Sequence, residues 1–241
     1  MSELEARVNR DNPNPRLACV LALDTSSSMG FMPESQRPPI EELNDGFELF
    51  CQELSKDDIA RKRVEVEVIT FGDVAQVAMD FQEARDLAPR RFQAVGGTPM
   101  GAALNLAADE LDRQKAAYKS SDLNYFCPWL FVLTDGQPTD GDVFTSAAKR
   151  VADLEAENHL NVFPIGIGDR ADMQSLALIS RRRSPVKLRG LSFKEFFIWL
   201  SNSLGTASRS KEPDRGEDGE PVRSGEQVAL PPPADWMQVS M

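Results

Sequence analysis

The chain has 241 residues, 41% of them hydrophobic and 27% charged, which suffices for one full core with tails. A formal net charge of −11 and a pI of about 4.7 deny it the broad basic footprint that binds nucleic acid or an anionic membrane surface. No apolar stretch approaches the roughly 20 residues of a membrane span, and Cys19, Cys51 and Cys127 form neither a CxxC pair nor an even set, so a cytosolic protein with buried free thiols is expected.

Residues 1–15 read as a polar, proline-bearing arm. Leu17 to Leu23 is a continuous apolar run, as in a strand buried on both faces, and it ends in Asp24-Thr25-Ser26-Ser27-Ser28. Ile40, Leu43, Phe47, Phe50, Cys51 and Leu54 recur at helical spacing. Val64-Glu65-Val66-Glu67-Val68 alternates, which predicts a strand near a sheet edge with one wetter face. Val74 to Met79 follows closely after Phe71-Gly72-Asp73, so a hairpin and antiparallel pairing are expected.

Gly96-Gly97 permits a sharp bend and presents Thr98 before a helix with Pro99 at its first position, where Thr98 also reads as an N-cap. Met100, Leu104, Ala107, Ala108 and Leu111 mark that helix's apolar stripe. A second buried strand, Trp129 to Leu133, runs into Thr134-Asp135-Gly136, and a helical stripe follows through Phe144, Ala148, Val151 and Leu154. Leu160 to Ile167 is a further strand. Phe193, Phe196, Phe197, Leu200 and Leu204 make a last helix, capped by Ser192, whose phenylalanines read as core rather than a ligand surface. From 205 to 241 glycine, proline and charge dominate and disorder is expected, although Trp236 and Met237 could dock on this domain or on a partner.

Strands alternating with helices imply a doubly wound α/β fold over residues 16–204. Its central sheet is mostly parallel with one antiparallel edge strand, and helices cover both faces. Such folds bind ligands outside the carboxyl ends of the strands, where strand order reverses. Asp24 and Asp135 both follow strand ends. On an extended loop Ser26 and Ser28 point the same way and can grip one ion together, with Asp24 on the same side. Mg²⁺ takes an octahedron of oxygens and keeps several waters; Mn²⁺ accepts the same donors. Thr98 and Asp135 complete the set, although Thr-Asp-Gly alone is a common turn.

Asp24-x-Ser26-x-Ser28, Gly97-Thr98-Pro99 and Thr134-Asp135-Gly136 resemble the metal-ion-dependent adhesion site of von Willebrand factor type A domains. Phe163-Pro164-Ile165-Gly166-Ile167-Gly168 is similar to that family's fifth strand, and Ser27 stands where many members have glycine. The resemblance implies a Mg²⁺ or Mn²⁺ ion held by Ser26, Ser28 and Thr98, with Asp24 and Asp135 direct or through water. It also implies a non-catalytic interaction module: a shell of neutral hydroxyls leaves the ion short of negative charge, so an Asp or Glu carboxylate from a protein partner completes it. Leu133 to Thr139 looks most like bacterial TerY-like proteins, linked with tellurite resistance, stress and phage defence. That likeness implies a Ser/Thr kinase-like protein or a 2C-type protein phosphatase as partner. In some relatives the last helix shifts on ligand binding, which would involve Leu191 to Leu204 here.

Other readings remain. A haloacid-dehalogenase-like phosphotransferase would use Asp24 as nucleophile and Gly168-Asp169-Arg170-Ala171-Asp172 as its late acidic motif, but it needs a carboxylic acid where Ser26 stands. Serine hydrolysis lacks a Gly-x-Ser-x-Gly elbow, and the only histidine, His159, precedes an apolar strand. Gly166-x-Gly168 lacks the third glycine of a dinucleotide fingerprint. Arg181-Arg182-Arg183 reads as a solvated face or protein-partner patch before it reads as a phosphate site. A scaffold with a vestigial metal site is the remaining alternative.

Overall fold

Seven strands form one sheet: β1 (Leu17–Asp24), β2 (Val64–Phe71), β3 (Ala75–Glu83), β4 (Trp129–Thr134), β5 (Asn161–Ile167), β6 (Val186–Leu188) and β7 (Met237–Val239). Their order is β3-β2-β1-β4-β5-β6-β7. This is a computed structural model that describes residues 7–31, 37–210 and 236–239. Strands β2, β1, β4, β5 and β6 run parallel, while β3 and β7 pair antiparallel at the two edges. The sheet therefore has two antiparallel edge strands rather than the one expected. The second comes from the C-terminal segment, where Met237 is buried and Trp236 packs edge-on against Trp199. The disorder expected from 205 does not begin there: residues 205–208 complete the last helix, with Gly205, Ala207 and Ser208 buried, and residues 211–235 lie outside the described residues.

Helices α1 (Pro39–Lys56) and α6 (Phe193–Ser208) cover one face, and α3 (Met100–Ser120) and α4 (Gly141–Ala156) the other; the short α2 (Ala60–Arg63) and α5 (Met173–Leu178) join them. A core lies on each side of the sheet, as a parallel sheet requires. The phenylalanine stripe is core: Phe193, Phe196 and Phe197 are fully buried and interleave with Phe47 and Phe50 of α1. Burying each such ring contributes about 1.5–3 kcal/mol. Ser192 does not cap α6 with its side chain; its hydroxyl donates to the Arg189 carbonyl at 3.0 Å.

The wetter face expected for β2 is dry. Every residue of β2 is buried, because α3 and residues 7–16 cover the side that carries Glu65 and Glu67. Arg16, itself fully buried, donates to Glu65 at 2.8 Å, and Gln114 and Tyr118 of α3 donate to its other oxygen. Three partners distant in sequence thus satisfy a carboxylate whose alternation suggested solvent. Glu67, two residues along the strand, has no hydrogen-bond partner among the described residues, and Arg7 approaches only to 3.9 Å.

Candidate metal centre

Strand order reverses between β1 and β4, and both strands deliver a carboxylate at that switch point: Asp24 closes β1, and Asp135 follows Thr134 at the end of β4. All four residues Asp24, Ser26, Thr98 and Asp135 are buried, with Ser28 partly exposed. Residues Ser27–Gly30 form a 3-10 turn rather than an extended loop, and this turn, not period-two alternation, brings the two serines together. Ser27 itself is exposed and donates its backbone N–H to the Gly96 carbonyl, so serine in place of glycine removes no ligand.

The oxygens form a chain. Ser26 Oγ lies 2.9 Å from Ser28 Oγ, and Ser28 Oγ donates to Asp135 Oδ1 at 2.7 Å. For a cation with oxygens at about 2.0–2.1 Å, adjacent corners of an octahedron lie roughly 2.8–3.0 Å apart. The Ser26–Ser28 spacing falls in that range and the Ser28–Asp135 spacing just below it, so this oxygen-rich donor set fits a small divalent ion. Among the described residues no cluster of three or more His, Cys, Asp or Glu is placed to hold a metal; the centre is made chiefly of hydroxyls.

Asp24 is held by two donors, the Ser26 N–H on Oδ1 at 2.8 Å and the Thr134 hydroxyl on Oδ2 at 2.5 Å. Burial pushes its carboxyl up to about 6, those hydrogen bonds oppose the shift, and the charge of Asp135 adds to it. A cation beside the pair would favour the charged forms.

Thr98 is not the expected side-chain cap. Helix α3 begins at Met100, one residue later than expected, with Pro99 at the N-cap and no side-chain cap bond from it. Asp140 performs that role from the β4–α4 loop, accepting from Gly101 N at 3.1 Å and Ala102 N at 2.8 Å. Thr139 and Thr98 bond reciprocally: the Thr98 N–H donates to Thr139 Oγ1 at 3.0 Å, and the Thr139 N–H donates to the Thr98 carbonyl at 2.9 Å. Thr98 Oγ1 faces Gly136, where an added Cβ would lie 3.5 Å away. Gly96 supplies the bend, at φ +74°, and its Cα packs so closely on Asp73 that a Cβ would lie 2.4 Å from the Asp73 Cα.

Hydrogen bonds thus link Asp24, Ser26, Ser28 and Asp135, and the Thr98 hydroxyl lies beside Gly136, the residue after Asp135. Thr134, Thr139 and Asp140 are the supporting residues that sequence reasoning left without a role, although they sit within or beside the Leu133–Thr139 signature. The arginine run is in part a solvated face, as expected: Arg181 and Arg182 are exposed, while their backbone N–H groups and the half-buried Arg183 guanidinium hold the buried Glu155, with Arg183 also over the Phe163 ring. Asp169 pairs with Lys187 at 2.7 Å, and Asp172 caps α5 through Gln174 N and Ser175 N. His159 precedes β5 at the opposite end of the sheet from the metal face. No helix among the described residues is long and apolar enough to cross a membrane.

The sequence profile of the von Willebrand factor type A domain matches residues 19–193. No curated protein matches the chain in sequence. Among solved structures it is similar to a von Willebrand factor type A protein from Catenulispora acidiphila, with TM-score 0.58 and 18% identity over 80% of this chain and 43% of that one. It is also similar to proximal thread matrix protein 1 of the mussel byssus, whose MIDAS motif is occupied by zinc, with TM-score 0.54 and 16% identity over 79% and 48%. Manganese-loaded Plasmodium vivax TRAP protein gives TM-score 0.51 and 19% identity over 77% and 74%. The chain thus spans about half the length of the mussel protein, and these likenesses concern the fold.

Proposed function

Because the chain belongs to the von Willebrand factor type A domain family, we propose that it is a metal-dependent protein-interaction module whose switch-point face takes an Asp or Glu carboxylate from a partner. The observation that carries this reading is the run Ser26 Oγ, Ser28 Oγ and Asp135 Oδ1, spaced 2.9 and 2.7 Å where β1 and β4 diverge. Ser26, Ser28 and Thr98 would hold a Mg²⁺ or Mn²⁺ ion, with Asp24 and Asp135 direct or through water. Bound there, the ion supplies a Lewis-acid site for an incoming carboxylate.

The protein's own residues set how much charge that ion keeps. Three of the five donors are neutral hydroxyls, and the Asp24 charge is already shared with Ser26 N–H and the Thr134 hydroxyl. Thr139 fixes the backbone of Thr98 through two hydrogen bonds, so the donors are positioned before a ligand arrives. The reading is non-catalytic. Ser26 stands where a phosphotransferase of the rival type needs its acid, and the late acidic residues Asp169 and Asp172 are engaged by Lys187 and α5. The TerY-like resemblance extends the proposal to a Ser/Thr kinase-like or 2C-type phosphatase partner in a bacterial cytoplasm. Three buried cysteines outside any disulfide accord with that setting.

Calorimetric titration of Mg²⁺ and Mn²⁺ into the full chain and into Ser26→Ala tests the metal. Saturable binding by the native chain, weakened about ten-fold or more by the substitution, is expected. Equal heats from both proteins would sink the proposal and favour a vestigial scaffold.

A further inference from the structure

A cleft of about 490 Å³ opens beside the metal face, between the β2–β3 turn and the segment leading to Gly96. Thr25 lines it next to the metal donor Ser26, and the backbone ties its walls to that loop: Val95 N donates to the Thr25 carbonyl at 2.7 Å, and Gly72 lies so close to both that a Cβ there would sit 2.4 Å from the Val95 oxygen. Val74 and Val95, 56% and 53% exposed, form an apolar rim. The rest of the lining includes two exposed arginines, Arg90 and Arg91, unusual company in a chain of net charge −11.

Arg90 donates to the Ala78 carbonyl and has no carboxylate partner among the described residues. Arg91 lies 3.4 Å from Asp45, which Arg37 already engages at 2.9 Å. Asp73 is the one acidic lining residue and is exposed to screening water. Ala78 stands three residues down β3 from its top at Ala75, and β3 lies two strands from β1, so Arg90 is anchored roughly 10 Å below the metal face and roughly 10 Å to its side, a span of about 14 Å or about four residues of extended chain.

We propose that this cleft seats the partner segment flanking the metal-bound carboxylate, and that the segment carries a second Asp or Glu about four residues from the first, with an apolar side chain between them. The first acid meets the ion, the apolar side chain meets Val74 and Val95, and the second acid pairs with Arg90. The inference rests on the metal-dependent reading above and specifies its ligand. A lone surface carboxylate would use the ion alone and leave both the valines and the arginine charge without a partner.

A displayed library of random ten-residue peptides, bound to the full chain in Mg²⁺ and eluted with EDTA, tests it. Eluted peptides should share an acid, an apolar residue and a second acid at that spacing. For one such peptide, Arg90→Glu should weaken binding about ten-fold or more while leaving calorimetric Mg²⁺ affinity and thermal unfolding unchanged. Arg90→Gln, which keeps a donor for the Ala78 carbonyl, should likewise lose the preference for the second acid. Indifference at the second position, equal binding by Arg90→Glu, or no eluted peptide from a chain that binds Mg²⁺ would overturn this proposal alone. A flat Mg²⁺ titration would overturn the metal reading and this proposal with it.

Discussion

Buried carboxylates stand at both ends of the sheet and are satisfied in opposite ways. At the lower end, the two oxygens of Glu155 accept from Val162 N, Ser180 Oγ, Arg181 N, Arg182 N and Arg183 Nη1, at 2.8 to 3.3 Å. At the upper end, Asp24 and Asp135 are met mainly by hydroxyls, which accept as readily as they donate. Backbone N–H and guanidinium donors can only saturate an anion, so the acceptor capacity of Glu155 is spent inside the fold. Hydroxyl oxygens can turn their lone pairs to a cation and still leave it short of charge. The same residue class therefore builds structure at one end and a ligand site at the other, according to the donors around it.

Removing one carboxylate from each end should break the symmetry most visibly. Glu155→Ala strands five donors, including the half-buried Arg183, and should cost about 3–5 kcal/mol in denaturant unfolding. Asp135→Asn should cost about 1 kcal/mol or less, because its partner Ser28 is half exposed and can find water. Comparable losses from the two substitutions would mean that the upper cluster is also a structural element.

Glu67 sharpens the contrast, since it is buried with no hydrogen-bond donor among the described residues and only Arg7 nearby, at 3.9 Å. Burial pushes its carboxyl up to about 8 from an ordinary 4.5, and nearby Glu110 adds to the shift. The folded chain then keeps a proton that the unfolded chain releases, so stability is full below pH about 4.5 and declines as pH rises toward 8. Glu67→Gln should match the native chain near pH 4 and exceed its stability by a few kcal/mol above pH 8, at roughly 1.4 kcal/mol for each tenfold difference in proton affinity between the folded and unfolded chains. Parallel pH–stability curves for the two proteins would show that Arg7 already neutralises Glu67.

Metal addition tests the upper end from the other direction. A ligand that binds only the folded state at about 100 times its Kd stabilises by about 2.7 kcal/mol. Mg²⁺ should raise the melting temperature of the native chain, EDTA should reverse the rise, and Ser26→Ala should abolish it. Glu155→Gln, if folded, should retain the full increment, because its site lies at the far end of the sheet.

The upper end was legible in sequence because its donors sit in three short motifs, each fixed to a strand end by local apolar runs such as Leu17–Leu23 and Trp129–Leu133. Their supports were less legible. The role of Thr134 depends on Asp24, 110 residues away, and that of Asp140 on Gly101 and Ala102, 39 and 38 residues away. At the lower end Arg181 and Arg182 are exposed, as the sequence suggests, but the hold that their backbone N–H groups and the Arg183 guanidinium take on Glu155 of α4 leaves no local signal. Alternation in β2 was read correctly as strand and wrongly as half wet, because Arg16, Gln114 and Tyr118 satisfy Glu65 from elements that no local pattern reveals. β6 and β7, three residues each, are too short to leave a periodic signal.

The smallest expected effect concerns how the upper end is held rigid. Asp140 accepts from the first N–H groups of α3, and its carboxylate faces the positive end of that helix. One residue before it, Thr139 bonds both backbone groups of Thr98. The loop after β4 thus fastens the Thr98 loop to the strand that carries Asp135. Asp140→Ala should cost about 1 kcal/mol, as lost caps do, and should weaken Mg²⁺ binding by only a small factor, since every direct donor survives. Asp140→Asn keeps an acceptor for one of the two N–H groups and should fall between. If Asp140→Ala lowers stability while Mg²⁺ affinity stays equal to that of the native chain, the hydroxyl cluster is organised by β1 and its 3-10 turn alone. The lock from the β4 loop then serves only the helix.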